Sequence, residues 1–326
     1  MTSCKLLAAA GAALALSAGA AAPALADSIV YVSDHDVWLM QPDGSGKVAV
    51  TRDGTAEAPY RHPTQDDRGR IAVAHEDEIV VLKPSGKVVR RFATSDLEDS
   101  TGHASWGFPS NVAISPDGKR IAFVATSASC DPTIDCGVRG TIGVVAATGR
   151  GATVQPGTYG GSSPSWISPT RLMFHGGFQS QNRIFDLGAD TESRNWFDDL
   201  DVHPEGSTDL GDGDVSADGR WYAAVRGYDA SARVAWHRTA GDVRGERDPA
   251  APAPVCETSP ALGTHGPSLA PDGSGIAAAD PEGIWVKLGL ESCDGPGFAL
   301  VAPGGAEPDW GPAEIAPRKP ARGKRG

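Results

Sequence analysis

Past its first 26 residues, the 326-residue sequence has no hydrophobic run of the roughly 20 residues that a membrane-crossing helix needs. Room for long helices is also missing. Gly (41) and Pro (25) recur so often that no later window free of both exceeds 15 residues. A mainly helical fold is excluded, and short strands between turns are what such punctuation allows. Lysine is scarce, eight against 21 arginines, and asparagine occurs three times, a bias typical of a GC-rich bacterial genome.

Most enzyme signatures are absent as well. There is no Gly-x-Ser-x-Gly elbow, no P-loop, and no Gly-x-Gly-x-x-Gly after a strand. His75-Glu76-Asp77-Glu78-Ile79 begins like a zinc-protease helix but has no second histidine, and no two of the eight histidines lie within four residues. An enzyme is therefore not the leading expectation.

The first 26 residues read as a secretory leader. Lys5 is the positive region, Leu6 to Ala22 the small-apolar core, and Ala24-Leu25-Ala26 an A-x-A cleavage site. The mature chain is expected to start near Asp27, to act outside the cytoplasmic membrane as a monomer, and to have no transmembrane segment. Cys130, Cys136, Cys256 and Cys293 suit an oxidising compartment. Four cysteines allow three connectivities, and sequence proximity favours Cys130–Cys136 and Cys256–Cys293. The formal charge is −12. The last nine residues hold Arg318, Lys319, Arg322, Lys324 and Arg325, leaving about −18 on residues 27–317. So acidic a body repels phosphate backbones, and nucleic acid is excluded as a partner. Residues 317–326 are expected to be a basic disordered tail.

What the sequence has is a repeat. Ser115-Pro116-Asp117-Gly118-Lys119-Arg120-Ile121-Ala122-Phe123-Val124 is an apolar approach, an Asp-Gly turn and a β-rich run, which reads as a two-residue hairpin with both central residues at positive φ. Related figures stand at Asp66–Val73, Trp166–Phe174, Val215–Gly219 and Leu269–Gly273, and a truncated one at Pro308–Pro312. Their mean spacing of about 49 residues, with about four strands in each, marks the blades of a β-propeller. The segments 28–33, 37–41 and 47–51 look like a blade without its first strand, and Pro308–Trp310 supplies one. The expected fold is all-β: a six-bladed propeller over residues 27–316, closed by pairing of the N- and C-terminal strands, with no open sheet edge at the seam.

The Ser-Pro-Asp-Gly-x-x-Ile-Ala-Phe repeat resembles the WD-repeat-like propeller repeats of the TolB family, especially small exported actinobacterial proteins. The resemblance covers about residues 28–313 and implies a six-bladed propeller. TolB also carries an α/β domain ahead of its propeller, whereas strands here begin two residues after the cleavage site. The envelope interactions that family makes through its N-terminal parts are therefore not implied.

Two sites are expected. Asp198, Asp199, Asp201, Glu205, Asp209, Asp212 and Asp214 have no Lys or Arg among them, and Asp209, Asp212 and Asp214 are candidate ligands for Ca²⁺. The spacing is not that of an EF-hand, and a solvated acidic loop or a basic partner are the alternatives. Aligning the repeats two residues before the turn places Arg61, Ala113, Ser165, Asp214, Ser268 and Asp309 around one channel mouth, as the site for a small polar ligand or a cation. Trp166 and Trp310 are expected to wedge between blades, Trp106 to lie near a mouth, and His265 to be a loop histidine. The leading expectation is a non-enzymatic binding or scaffold protein whose partner is an envelope or extracellular protein or a small polar ligand. Its rival is a lyase, hydrolase or lactonase with a divalent metal in the channel, which requires acids from several blades to converge.

Overall fold

Six four-stranded antiparallel sheets surround a central channel in the computed structural model. The structure describes residues 27–94, 97–98, 104–105, 109–131, 134–151, 153–155, 158, 160–176, 181–206, 209–258 and 265–315; at 97–98, 104–105, 126–131, 134–139, 154, 181 and 265 it describes the backbone alone. Trp106, the tail and the leader lie outside these residues, as do the side chains of Cys130, Cys136 and His265.

Blade 1 is built from both ends of the chain: Ala306–Gly311 is its innermost strand, followed by Ser28–Ser33, Asp36–Met40 and Val48–Ala49. Ser28 pairs with Gly311, Ile29 with Trp310 and Val30 with Asp309, so the ring closes as expected. The innermost strands of blades 2 to 6 are Tyr60–Gln65, Ser110–Ile114, Ser162–Ser168, Leu210–Val215 and His265–Leu269. Each is followed outward by three more strands, ending at Ala93, Val154, Asn195, Glu257 and Pro303.

The second strand of each blade is covered on both faces, which is why it reads as a continuous apolar run such as Ile71–His75 or Trp221–Val225. Six apolar clusters form, one for each pair of adjacent blades. Trp166 packs among blade 3 and 4 residues, and Trp310 among those of blades 6 and 1. Both fill the wedge between blades. Burying each such Val, Ile or Leu contributes about 1.5–3 kcal/mol.

The turns differ from a two-residue hairpin. Gly118 donates to the Ser115 carbonyl at 2.7 Å, and Ser115 N donates to the Arg120 carbonyl at 2.8 Å, so four residues lie between the paired ones. Among Gly69, Gly118, Gly219, Gly273 and the Asp before the last three, only the glycines have positive φ. Pro116 sets the start of a type I turn, and Gly118 takes the left-handed position that follows it. The Asp side chain closes the turn: Asp117 Oδ1 accepts from Ser115 Oγ at 2.9 Å and from Lys119 N at 3.1 Å. Asp218 does the same for Ser216 and Arg220.

Cys256 and Cys293 are joined, with a Cα separation of 5.3 Å. The bridge staples the outer strand of blade 5 to the segment after the third strand of blade 6. At the other expected bridge the backbone forms a hairpin, with Ser129 opposite Gly137 and Asp131 opposite Ile134.

Candidate functional site: the axial channel

Every innermost strand bends at the same place. His62, Asn111, Ser163, Asp212, Gly266 and Glu307 all have φ between 44° and 53°. In each blade the pairing register shifts next to this residue. The bulge turns the strand over the channel, and all six residues line a cavity of about 1350 Å³ on the propeller axis. A left-handed conformation costs a non-glycine residue about 1–2 kcal/mol. Its recurrence in every blade makes it part of the architecture, and what distinguishes this chain is the side chains it displays there.

Two residues further on comes a belt that joins the blades. Thr64 Oγ1 accepts the N–H of Ile114 in the next blade at 2.9 Å. Asp214 Oδ2 accepts that of Leu269 at 2.8 Å, Ser268 Oγ that of Trp310 at 2.9 Å, and Asp309 Oδ2 that of Gln65 at 2.8 Å. Ser165 Oγ donates to Asp214 Oδ1 at 2.9 Å. Ala113 has no side-chain acceptor, and its carbonyl instead takes the indole N–H of Trp166 at 2.9 Å. The polar groups that line the wall are thus committed sideways, to the neighbouring blade: Thr64, Asp214, Ser268 and Asp309 to its backbone and Ser165 to the Asp214 carboxyl.

Five of the six residues aligned from sequence, Ala113, Ser165, Asp214, Ser268 and Asp309, are brought together in this belt. Arg61 is not. It is exposed, lies outside the cavity lining, and pairs with Ala74 on the far side of the bulge. Thr64, opposite Ala72, is the residue in register with Ser165 opposite Met173 and Asp214 opposite Ala223. The copy at Asp66-Asp67-Arg68-Gly69 has no proline to mark where its turn begins; Asp66 begins it, as Ser115 does in blade 3, and the residue two before Asp66 is Thr64, three beyond Arg61. The mouth residues themselves carry one sequence signal that could have found them: five of the six are followed by Pro or Gly.

The channel is strongly acidic. Burial pushes Asp214 up to about 6 and Asp309 up to about 8, the latter helped by the charge of Asp214. At the turn-side end burial also raises Asp67, aided by Asp66, and raises Asp27, aided by Asp272. At the opposite mouth Glu307 Oε2 accepts the N–H of His62 at 2.5 Å, and its partner oxygen lies 3.5 Å from His62 Nδ1. Asp212 Oδ1 lies 3.3 Å from His175 Nδ1. Burial holds the His62 ring below the usual histidine range, opposed by Glu307.

The proposed Ca²⁺ ligands are not gathered. Asp212 is drawn to His175, Asp214 faces Ser165 and the next blade, and Asp209 precedes the strand, its carbonyl taking the Gly227 N–H at 2.7 Å. Among the described residues no three His, Cys, Asp or Glu side chains are grouped to hold a metal ion. Nor does the acidic segment lack cations in space. Arg226, from the second strand of blade 5, lies 4.0 Å from Asp199, 3.7 Å from Glu205 and 3.1 Å from Glu257. Beneath the short helix Asp199–Val202, His203 and His237 face each other with Nε2 atoms 3.1 Å apart.

No protein-family model matches the sequence, and no curated protein does either. Solved structures match the fold. TolB from Acinetobacter baumannii is 18% identical with a TM-score of 0.56, over 87% of this chain and 66% of that one. This chain thus spans about two thirds of that protein. A putative TolB from Agrobacterium tumefaciens is 12% identical at 0.55, over 87% and 92%. A chain of a nidogen/laminin complex is 10% identical at 0.60, over 89% and 99%. At these identities the likeness is one of architecture, a six-bladed propeller.

Proposed function

We propose that this chain is an exported, non-enzymatic binding or scaffold protein that holds its ligand or partner at the channel mouth ringed by His62, Asn111, Ser163, Asp212, Gly266 and Glu307. The observation that carries this reading is the division of labour in the channel. Polar side chains of the belt fasten neighbouring blades to one another, whereas five of the six blades place a different polar side chain, His62, Asn111, Ser163, Asp212 and Glu307, around one opening. Binding groups held on a rigid scaffold suit recognition. Export is supported by the leader-like residues 1–26 and by the Cys256–Cys293 bridge. The similarity to a chain of the nidogen/laminin complex adds the precedent of a propeller within a protein complex, as an analogy of fold. The rival, a metal-dependent propeller enzyme, needs several ligands at one point, and among the described residues no three His, Cys, Asp or Glu side chains are so grouped.

A photo-crosslinking amino acid at Ser163, in the mature protein exposed to the envelope fraction of its source organism, tests this. The same group at Glu192, on the outer rim of blade 4, is the control. Products specific to Ser163, diminished by the Asp212→Asn, Glu307→Gln double variant, are expected. Equal labelling from both positions, or none from either, refutes the reading.

A further inference from the structure

On the turn-side face of blade 5, away from the mouth ring, a groove of about 310 Å³ holds three arginines, Arg220, Arg238 and Arg244. Their presence together is unexpected in so acidic a body. Each is held in place by one edge. Arg220 Nε donates to Asp218 Oδ2 at 2.6 Å, and Nη2 to the Asp272 carbonyl at 3.2 Å. Arg238 lies over the Trp221 ring, 4.4 Å from its centroid, with one Nη on Glu291. Arg244 Nη1 donates to the Ala217 carbonyl at 2.5 Å, and its stem lies against Gly219, where an added Cβ would meet it at 3.2 Å. Gly219 also has φ +73, the left-handed conformation that favours glycine, so this turn brings the Arg244 stem close without strain.

The loop that carries Arg244 is itself fastened. Arg171, buried in blade 4, donates through Nη1 to the carbonyls of Val243 at 2.7 Å and Glu246 at 2.6 Å. Its other edge is bidentate to Asp186, at 2.6 and 2.9 Å. The acids of the groove are engaged locally: Asp218 caps the turn and Arg220, and Asp242 Oδ1 accepts the Arg244 N–H at 3.0 Å. A guanidinium has five N–H donors, so each arginine keeps donors beyond those contacts for the cavity it lines.

We propose that this groove is an anion site that takes a phosphate group. Three pre-positioned guanidiniums suit a tetrahedral dianion with three terminal oxygens better than a planar carboxylate with two. The surrounding negative field excludes polyanions and long nucleic acid, which leaves small phosphate-bearing molecules as the ligand class. The groove is separate from the mouth ring, so this proposal does not depend on the function assigned to that mouth.

Inorganic phosphate is the probe. Titrated into the ¹⁵N-labelled mature protein at low ionic strength, it should shift the amides of Gly219, Gly241 and Val243 saturably, with acetate giving much smaller shifts. Arg244→Gln and Arg238→Gln should each weaken binding by roughly tenfold or more by calorimetry, with unchanged far-ultraviolet circular dichroism. Shifts confined to the arginine- and lysine-rich residues 318–325 would overturn the assignment. So would binding indifferent to both substitutions, or no saturable change. The wild-type shift map decides the matter even if a variant fails to fold.

Discussion

The Asp309 carboxylate, in the last strand of the chain, accepts the backbone N–H of Gln65 in the neighbouring blade at 2.8 Å. That bond is one of several that run around the channel, so residues at this position act as fasteners between blades.

Asp309→Ala should therefore destabilise the protein by about 1–3 kcal/mol, the cost of a buried N–H left without an acceptor. Asp309→Asn keeps an acceptor and should cost much less. Urea unfolding of the two variants beside the wild type measures the difference. Equal losses would mean that Asp309 acts through its charge.

The same carboxyl gives the stability a pH dependence. Its folded pKa of about 8, and that of about 6 for Asp214, lie above the ordinary Asp value of 3.8. The folded state thus holds protons that the unfolded chain has released. Stability from these groups is complete below pH 3.8 and lost as pH rises through 6 and then 8. Their contribution to the melting temperature should fall between about pH 4 and 8 and level off above that, and Asp309→Asn should flatten the fall between about pH 6 and 8.

His237 works in the opposite direction. Burial first, then the neighbouring His203, push it down to about 3 from 6.5, so the unfolded chain takes up a proton that the folded one refuses. Its contribution is present above pH 6.5 and lost as pH falls toward 3. His237→Gln should lessen the decline in melting temperature below pH 6 relative to wild type; an unchanged acid limb would assign that limb to other groups.

Reducing the Cys256–Cys293 bridge should cost about 4 kcal/mol by loop-closure entropy. Urea midpoints with and without reductant, and for Cys256→Ser, measure it. Peptide mapping without reduction should recover this pair and, as the sequence leads one to expect, Cys130 with Cys136.

Arg171→Ala should cost about 3–5 kcal/mol, because it leaves Asp186 Oδ1 and the carbonyls of Val243 and Glu246 without their donor. Amide exchange in residues 241–248 should accelerate with it. Exchange unchanged there would assign the fastening of the loop to its other bonds, from Arg194 Nη2 to the Arg247 carbonyl at 2.8 Å and from Arg247 Nη1 to Asp190 Oδ1 at 3.2 Å.

The blades were legible because their signal is local: a turn and a β-rich run, repeated at even spacing. Closure followed from counting strands at the two ends. The bulge was harder. The left-handed residue at Asn111 has no Pro or Gly after it, and the turn that Asp66 begins has no proline to mark the count that leads to Thr64 rather than Arg61. Inter-blade contacts are less legible still. Nothing near Asp199 in sequence announces Arg226, which arrives from the second strand of blade 5, and nothing near Thr64 announces Ile114.

Closure through Ala306–Gly311 has a temporal side. The strand nearest the axis in blade 1 is synthesised after every other strand of the ring, so the ring cannot close until residue 311 is available. A growing chain can form blades 2 to 6 in order, but Ile29 and Val30 wait for a partner until Trp310 and Asp309 emerge. A chain broken off before residue 306 would leave an open arc with one exposed edge. A circularly permuted chain, joined across the natural ends and cut between two other blades, would carry that waiting edge elsewhere in the ring.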